Sequence, residues 1–277
     1  MVVAWAGSKV VAGTSGNESA FAVSTNNGKS FSDISLIDTT LTNVTDVAVS
    51  PDGSVVYLVS DDGADLSVWR YASSWKRILA VPSKTTFIVR LAPDDSDVVY
   101  VAERSGTTIY YSGDGGTERW QTRTSRYTIQ DLAVETTGDV AYVIQSGNGK
   151  ISKSSNSGFT WGTEKSTKLN GGYMITSLGE DLLIAGSDDG YVSYSTDGGD
   201  SWTKISKQLG STSANVSVTA SGLADGDYIY AGLGTGQKDI YRWQLGTSSS
   251  WSSIKTCLLY TSPSPRDLST SRMPSSA

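Results

Sequence analysis

The chain has 277 residues and a formal net charge of −6, and it contains no histidine and one cysteine. It carries no basic stripe, so we predict neither a nucleic-acid partner nor an anionic membrane surface, because phosphate groups are bound by clustered Lys and Arg. The missing histidines remove the commonest general base and zinc ligand, and one cysteine excludes an intrachain disulfide. No run approaches the ~18–20 apolar residues of a spanning helix, so we expect no membrane insertion.

Short stretches rich in β-branched and aromatic residues follow one another from the start of the chain, each bounded by Gly, Asp or Asn. This pattern is typical of strands joined by tight turns. The second unit, for example, reads NVTDVAVS, VVYLVSD, SVWRYA and WKRILAV. Four strands make one unit, and six units are readable, at residues 1–38, 43–81, 86–124, 128–166, 173–207 and 215–254.

A large aromatic residue recurs once per unit, just after a polar turn. The series is Phe31, Trp75, Trp120, Trp161, Trp202 and Trp251, at intervals of 41 to 49 residues. A self-similar period near forty with four strands per period indicates a β-propeller. We therefore predict an all-β fold, a propeller of four-stranded antiparallel blades with six readable blades. We expect the chain to be a fragment of a seven-bladed or larger propeller.

The strand patterns also predict how each blade is buried. The first strand of each unit is apolar at consecutive positions, as expected for an innermost strand that is covered on both faces. The third strand alternates, with Val192 and Tyr194 against Ser193 and Ser195. Such alternation predicts one solvated face toward the outer edge of the blade.

Four of the turns share one phrase, and its most complete copy is STDGGDSW. The other copies carry Asn for Asp, or one extra residue before the aromatic. The phrase resembles the Asp-box of BNR-type propellers, a superfamily with sialidase-like, sortilin-like and photosystem-assembly-factor-like members. Its predicted structural positions are Ser24, Asn26, Gly28, Phe31, Ser112, Asp114, Gly116, Trp120, Ser154, Asn156, Gly158, Trp161, Ser195, Asp197, Gly199 and Trp202.

The residue types in this phrase favour a structural role. A short Asp or Asn side chain accepts hydrogen bonds from backbone amides a few residues further on and closes the turn. The glycine supplies a backbone position with positive φ. The aromatic ring is then expected to pack between adjacent sheets. The resemblance implies that this hairpin joins the third and fourth strands on the rim opposite the usual binding face.

Residues 257–277 differ in composition from the rest of the chain. They hold three of the six prolines and the one cysteine, while all eight tryptophans lie upstream. The string resembles the in-frame translation of a sequencing adaptor, so we interpret 257–277 as an artefactual, disordered tail and 1–256 as the propeller domain. The alternative is a genuine Ser/Pro-rich tail.

Catalysis is an alternative because sialidases and some glucan-cleaving glycosidases share this repeat. A glycosidase needs two carboxylates that flank the scissile bond. Candidates near strand ends that could meet across a central channel are Asp46, Asp61, Asp131 and Asp188. The FRIP-like phrase and the arginine trio that a sialidase resemblance would imply have no recognisable counterpart. We predict no catalytic, cofactor-binding or metal-binding residue, and no cofactor.

We therefore predict a non-catalytic, secreted or cell-surface module that binds a protein or glycan partner, by analogy with exported repeat proteins of similar composition. The alternatives are a sialidase- or glucanase-like glycoside hydrolase or its inactive relative, and an assembly-factor-like chaperone. The predicted binding face comprises second-to-third-strand loops and blade-to-blade connections. Its candidate residues are Asp61, Asp62, Glu103, Arg104, Tyr127, Tyr173, Asp188 and Asp189.

Overall fold

The computed structural model describes residues 2–13, 20–31, 33–36, 43–84, 86–210, 214–234 and 240–254. These residues form six antiparallel sheets of four strands each. They contain no helix, and therefore none that could cross a membrane. The sheets are the blades of a propeller, which confirms the prediction of an all-β fold with six four-stranded antiparallel blades. The segment 257–277 lies outside the described residues.

The strands of the first three blades follow chain order within each sheet. Blade 1 contains β1 (Val2–Ala6), β2 (Lys9–Gly13), β3 (Ala20–Ser24) and β4 (Asp33–Leu36). Blade 2 contains β5 (Asn43–Val49), β6 (Val56–Asp61), β7 (Leu66–Tyr71) and β8 (Trp75–Val81). Blade 3 contains β9 (Phe87–Leu91), β10 (Val99–Glu103), β11 (Thr108–Ser112) and β12 (Gln121–Thr124).

The last three blades repeat the same meander, with a shorter outermost strand. Blade 4 contains β13 (Asp131–Val134), β14 (Ala141–Ile144), β15 (Lys150–Ser154) and β16 (Lys165–Ser166). Blade 5 contains β17 (Gly172–Gly179), β18 (Leu182–Ser187), β19 (Val192–Ser195) and β20 (Thr203–Lys204). Blade 6 contains β21 (Val216–Ala220), β22 (Tyr228–Leu233), β23 (Ile240–Gln244) and β24 (Ser252–Ser253).

The hydrophobic core is divided among the blade boundaries. Each of five apolar clusters joins two consecutive blades, from blades 1 and 2 to blades 5 and 6. Between blades 4 and 5, for example, Tyr142 and Ile144 meet Leu183 and Trp202. A fully buried apolar side chain contributes about 1.5–3 kcal/mol. Each blade is therefore stabilised mainly by its neighbours, because one four-stranded sheet has too little core alone.

The prediction of a solvated face on the third strand was wrong for blade 5. Ser193 and Ser195 are buried, at 0% and 2% exposure, although they alternate with Val192 and Tyr194. A propeller blade has a neighbour on each face. Polar–apolar alternation along a strand therefore does not indicate which side chains meet water and which lie in the core. The small serine side chains bond locally instead, and Ser193 Oγ donates to the carbonyl oxygen of Thr203 at 3.0 Å.

Buried tyrosines on the second strands connect one blade to the next. Tyr57 donates its hydroxyl hydrogen bond to the carbonyl oxygen of Ser96, and Tyr100 donates to that of Gly138. Both acceptors belong to the turn after the innermost strand of the following blade. The corresponding residue of blade 6, Tyr230, is half-buried and lies on the face of β22 opposite its contact with blade 5.

The chain turns define two ends of the propeller. The upper end carries the loops between second and third strands and the connections between blades. The lower end carries the turns between first and second strands and the hairpins between third and fourth strands, where the Asp-box phrases lie.

Candidate functional site

Two carboxylates predicted as candidates across the channel, Asp46 and Asp131, are brought together by one arginine. Arg90 lies on β9 between the strands that carry them, and its Nη1 is 2.6 Å from Asp46 Oδ2. Its Nη2 is 2.5 Å from Asp131 Oδ1, and its Nε donates to the carbonyl oxygen of Leu132 at 3.0 Å. The guanidinium group therefore spans blades 2, 3 and 4.

Both carboxylates also accept backbone hydrogen bonds from the next blade. Asp46 Oδ2 accepts from the amide of Val89 at 3.0 Å, and Asp131 Oδ2 accepts from the amide of Ile175 at 2.9 Å. Burial alone would lower the pKa of Arg90, but Asp131 and Asp46 raise it overall, so the arginine stays charged. Each carboxylate oxygen and each guanidinium nitrogen of the cluster makes at least one hydrogen bond, and these bonds connect four consecutive innermost strands.

A cavity of about 290 Å³ lies beside this cluster in the channel. Apart from Arg90 its walls are apolar, and they include Trp5, Val47, Pro51 and Pro93. An acid and a base at glycosidase spacing would need two accessible carboxylates in such a space. The cavity supplies apolar surface and one arginine that is shared by two carboxylates instead.

The other two candidate carboxylates lie at the upper end, in separate blades. Asp61 is buried and accepts hydrogen bonds from Asn43 Nδ2 at 2.8 Å and from the amide of Gly63 at 2.9 Å. Asp188 is exposed, and its carboxylate lies against the backbone of Gly171. The structure does not bring Asp61 and Asp188 together with Asp46 and Asp131 as a reacting set.

Several residues of the predicted binding face make hydrogen bonds or ion pairs within the loops at the upper end. Asp62 accepts from the amides of Ala64 and Asp65, and backbone hydrogen bonds, chiefly that from Asp65, lower its pKa. Glu103 is 2.6 Å from Lys84 Nζ; burial raises the pKa of this carboxyl, but the lysine and Thr108 lower it overall. These groups are engaged within the chain and offer only part of their surface to a ligand.

Between blades 3 and 4, the upper end presents a cationic and aromatic surface. The backbone of Arg104 forms an isolated parallel β-bridge with that of Ile129, and the side-chain Nε of Arg104 donates to the carbonyl oxygen of Gln130 at 3.2 Å. Tyr127 is half-buried, and the exposed Arg126 lies over its ring at 5.6 Å. Both predicted residues, Arg104 and Tyr127, therefore border the same blade junction.

On blade 5 the upper end presents an aromatic and acidic surface. Tyr173 is half-buried and lies in a β-bulge of the innermost strand, between the paired residues Gly172 and Met174. Bulges re-aim side chains and are common beside functional sites. Asp189 is held by Ser187 Oγ at 2.6 Å and by Asn170 Nδ2 at 3.0 Å, which leaves Asp188 as the exposed carboxylate of this loop.

The Asp-box positions form closed hairpins at the lower end. In blade 5, Ser195 Oγ donates to Asp197 Oδ1 at 2.8 Å and accepts from the amide of Gly199 at 2.9 Å. Asp197 Oδ1 accepts from the amide of Ser201 at 2.9 Å. The hydroxyl and amide of Ser201 are the main cause of the lowered pKa of Asp197, about 2.

The other three phrases repeat these bonds with small changes. Asn156 and Asn26 accept from the amides of Thr160 and Ser30 in the same way. In blade 3 the extra residue shifts the contact, and Asp114 Oδ2 accepts from the amide of Arg119 five positions on. The serine and the glycine keep the same relation in this copy: Gly116 donates to Ser112 Oγ and Ser112 Oγ donates to Asp114 Oδ1.

The aromatic residues that end the phrases contact the preceding blade. Trp161 and Trp202 are 9% and 2% exposed, and each donates Nε1–H to the glycine carbonyl of its own turn. Trp120 donates to the carbonyl oxygen of Ile78 in blade 2. The expected packing between sheets does not hold for Phe31, which is 44% exposed, because none of the described residues covers that face of blade 1.

Sequence reasoning missed the role of Arg90. Asp46 and Asp131 stand at equivalent positions of β5 and β13, but Arg90 stands two residues further along β9 than the equivalent position, Ile88. The repeat therefore does not align the arginine with the two carboxylates. Their contact follows from the reach of the guanidinium group across neighbouring innermost strands.

No protein-family model and no curated protein matches the sequence. Solved structures do match in fold. "YCF48 bound to D1 peptide" has a TM-score of 0.62 and 12% identity over 89% of this chain and 77% of that chain. The fold is that of a β-propeller.

A second similar structure is the GH74 xyloglucanase from Xanthomonas campestris, with a TM-score of 0.65 and 14% identity. The match covers 88% of this chain but 45% of the xyloglucanase, so this chain spans less than half the length of that enzyme. At such identities the likeness concerns the architecture of the blades and not the chemistry of any site.

Proposed function

We propose that the chain is a non-catalytic binding module, secreted or on a cell surface, whose upper end binds a protein partner. The observation that carries the proposal is that every oxygen of the channel carboxylates is already hydrogen-bonded within the chain. Asp46 and Asp131 each share Arg90 and a backbone amide, so neither is free to transfer a proton to a glycosidic oxygen.

The surface chemistry of the upper end supports a peptide-like partner. Arg104 and Tyr127 supply a cation and a ring at the junction of blades 3 and 4, and Tyr173 and Asp188 supply a ring and a carboxylate on blade 5. Aromatic and arginine side chains dominate binding energy in protein interfaces. A structurally similar propeller, YCF48, is found with a peptide bound, which is consistent with this class of partner.

The binding proposal is tested on an array of short immobilised peptides, with a glycan array in parallel. We expect selective peptide signals. Replacing Arg104, Tyr127, Tyr173 and Asp188 together by Ala should weaken them at least about tenfold. The matched control replaces Asp94, Arg119 and Glu180 by Ala, because these residues are exposed at the lower end. Signals that survive the upper-end variant, or that are lost equally in the control, contradict the proposed face.

The alternative of a glycoside hydrolase is tested separately. The chain is incubated with soluble plant and bacterial glucans, xyloglucan included, and reducing-end release is measured. We expect no turnover above a blank. Turnover that is abolished by Asp46→Asn or Asp131→Asn, in variants that keep the native thermal midpoint, would make the chain an enzyme and overturn the proposal.

A further inference from the structure

The outer groove between blades 3 and 4, beside the Asp-box hairpin, is filled by side chains of the chain itself. Arg123 on β12 lies between two rings, with its Cζ 5.3 Å from the centre of Tyr111 and 5.0 Å from that of Phe159. Phe159 belongs to the Asp-box hairpin of blade 4 and is 69% exposed. A guanidinium group stacked on aromatic faces is a favourable arrangement.

The corresponding groove between blades 4 and 5 has different residues at the positions of Tyr111, Arg123 and Phe159. Ile151 pairs with Lys165 in the way that Ile109 pairs with Arg123, so Lys165 replaces the arginine. Lys153 stands one residue before its Asp-box serine, as Tyr111 does in blade 3. Asp200 stands two residues before Trp202, as Phe159 stands before Trp161. Both aromatic fillers are therefore replaced by charged residues.

A cavity of about 590 Å³ occupies this second groove. Its floor contains Ile151 and the buried Trp161, and Lys153, Lys165, Gly199 and Asp200 form its walls. In the next groove, between blades 5 and 6, the position of Lys165 is taken by Ile205, which is buried. Beside this cavity, charged residues therefore stand where the two neighbouring grooves carry aromatic or apolar side chains. The size of the cavity lies in the usual range for a small-molecule site, about 300–1,000 Å³.

The cavity offers two lysine side chains to an anion, although the whole chain is acidic. Its lining holds Lys153, Lys165 and Asp200, and Asp181 lies against the lining residue Gly198, so each lysine has one carboxylate within reach. Lys153 pairs with Asp181 at 3.3 Å and Lys165 pairs with Asp200, and both pairs are largely exposed. Exposed ion pairs contribute little to stability, so the lysines can exchange these partners for a carboxylate of a ligand at small cost.

The remaining lining favours a ligand rich in hydroxyl groups. Ser155, Thr160 and Thr163 supply hydroxyls. The indole N–H of Trp161 is already used by the carbonyl oxygen of Gly158, so this ring offers apolar surface to a ligand. Sugar rings combine an apolar face with a hydroxyl rim, and aromatic and apolar surfaces bind such faces.

We propose that the groove between blades 4 and 5 binds a short anionic saccharide made of uronic acid units. Lys153 and Lys165 bind the carboxylates, and the Ser and Thr hydroxyls of the walls bind the sugar hydroxyls. The site lies at the outer rim near the lower end, away from the predicted binding face at the upper end. This groove is a second site. A negative result for saccharide binding would not affect the proposed binding of a protein at the upper end, and a negative result at the upper end would not affect this proposal.

The test is a calorimetric titration of the chain with galacturonate trisaccharide. We expect a Kd below about 1 mM for galacturonate trisaccharide. A neutral galactose trisaccharide should bind at least about tenfold more weakly. Binding of the galacturonate trisaccharide should also weaken as the salt concentration rises. A tri-glutamate peptide serves as the second comparison, because it carries the same charges without the sugar. Equal binding of the neutral sugar or of the peptide, or no binding of the acid in the millimolar range, overturns the proposal.

Variants separate the groove from general surface charge. Lys153→Gln and Lys165→Gln should each weaken the acid saccharide about fivefold to tenfold, as expected for loss of a charge-assisted hydrogen bond. Lys165→Arg should retain binding, and Lys76→Gln is the matched control on an exposed outer strand of blade 2. Asp200→Phe introduces the residue type that fills the groove between blades 3 and 4, where Phe159 stands, and it should abolish binding. Unchanged affinity in the two glutamine variants, or a loss in Lys76→Gln, contradicts the assignment.

Discussion

The Asp-box hairpins of blades 1 and 5 make the same local hydrogen bonds but differ in the burial of their aromatic residue. Ser24 and Ser195 each accept from the glycine amide four positions on, at 2.9 Å in both blades. Yet Phe31 is 44% exposed, whereas Trp202 is 2% exposed. The turn is therefore a property of its own few residues, and burial of the ring depends on whether a neighbouring blade lies against it.

The largest expected effect concerns the ring itself. Trp202→Ala should lower the free energy of unfolding by about 3–5 kcal/mol, because it leaves a cavity between blades 4 and 5. Phe31→Ala should cost much less, about 0.5 kcal/mol, because the side chain is already 44% exposed. Urea unfolding of both variants measures the difference. Equal losses would mean that Phe31 is covered in solution.

The second prediction concerns the serine that the two hairpins share. Ser24 and Ser195 are both buried, and each hydroxyl bonds a turn amide and an Asp or Asn oxygen. Ser24→Ala and Ser195→Ala should each cost about 1–3 kcal/mol, since both leave buried polar groups without a partner. The same unfolding experiment should give similar values for the two. A loss confined to blade 5 would show that the hairpin of blade 1 is not formed by local bonds alone.

The tyrosines on the second strands also differ in burial from one blade to another. Tyr100 is fully buried and bonds a turn of blade 4, whereas Tyr230 is half-buried and lies on the face of blade 6 opposite blade 5. Tyr100→Phe should cost about 1 kcal/mol, and Tyr230→Phe should be close to neutral. Thermal midpoints at neutral pH provide the readout. A neutral Tyr100→Phe would mean that its hydroxyl does not connect blades 3 and 4.

The smallest expected effect is a pH dependence of the blade 5 hairpin. The pKa of Asp197 is lowered from 3.8 to about 2 by its bonds to Ser201. A depressed carboxyl pKa stabilises the folded state above pH ~4, and that stabilisation is lost as the pH falls toward ~2. The difference in thermal midpoint between the native chain and Asp197→Asn should therefore shrink over this range. A constant difference from pH 5 to pH 2 contradicts the pKa assignment.

Much of the fold was predictable because it repeats. A period near forty and four short strands per period indicate six blades, and the Asp-box letters indicate the hairpins between third and fourth strands. The interpretation of Ser193 and Ser195 was wrong, because alternation was taken to mean a water-facing side. In a propeller both faces of a blade are interfaces, so the pattern within one strand does not tell which residues meet water.

The candidate sites were less predictable. Asp46 and Asp131 were considered as possible partners in catalysis, and their shared contact with Arg90 depends on the angle between three blades. The cavity between blades 4 and 5 has no motif of its own. Beside it, Lys153, Lys165 and Asp200 take positions that Tyr111, Arg123 and Phe159 fill one blade earlier. Only an alignment by strand register shows that replacement.

The amino-acid sequence alone determined the strands, the tight hairpins and their repetition, because these depend on hydrogen bonds and backbone preferences within about ten residues. Only the tertiary structure decided which aromatic rings are buried, which charges neutralise one another and which groove stays open. Those outcomes depend on contacts between residues about forty positions apart, whose distance is set by the packing of one blade against the next.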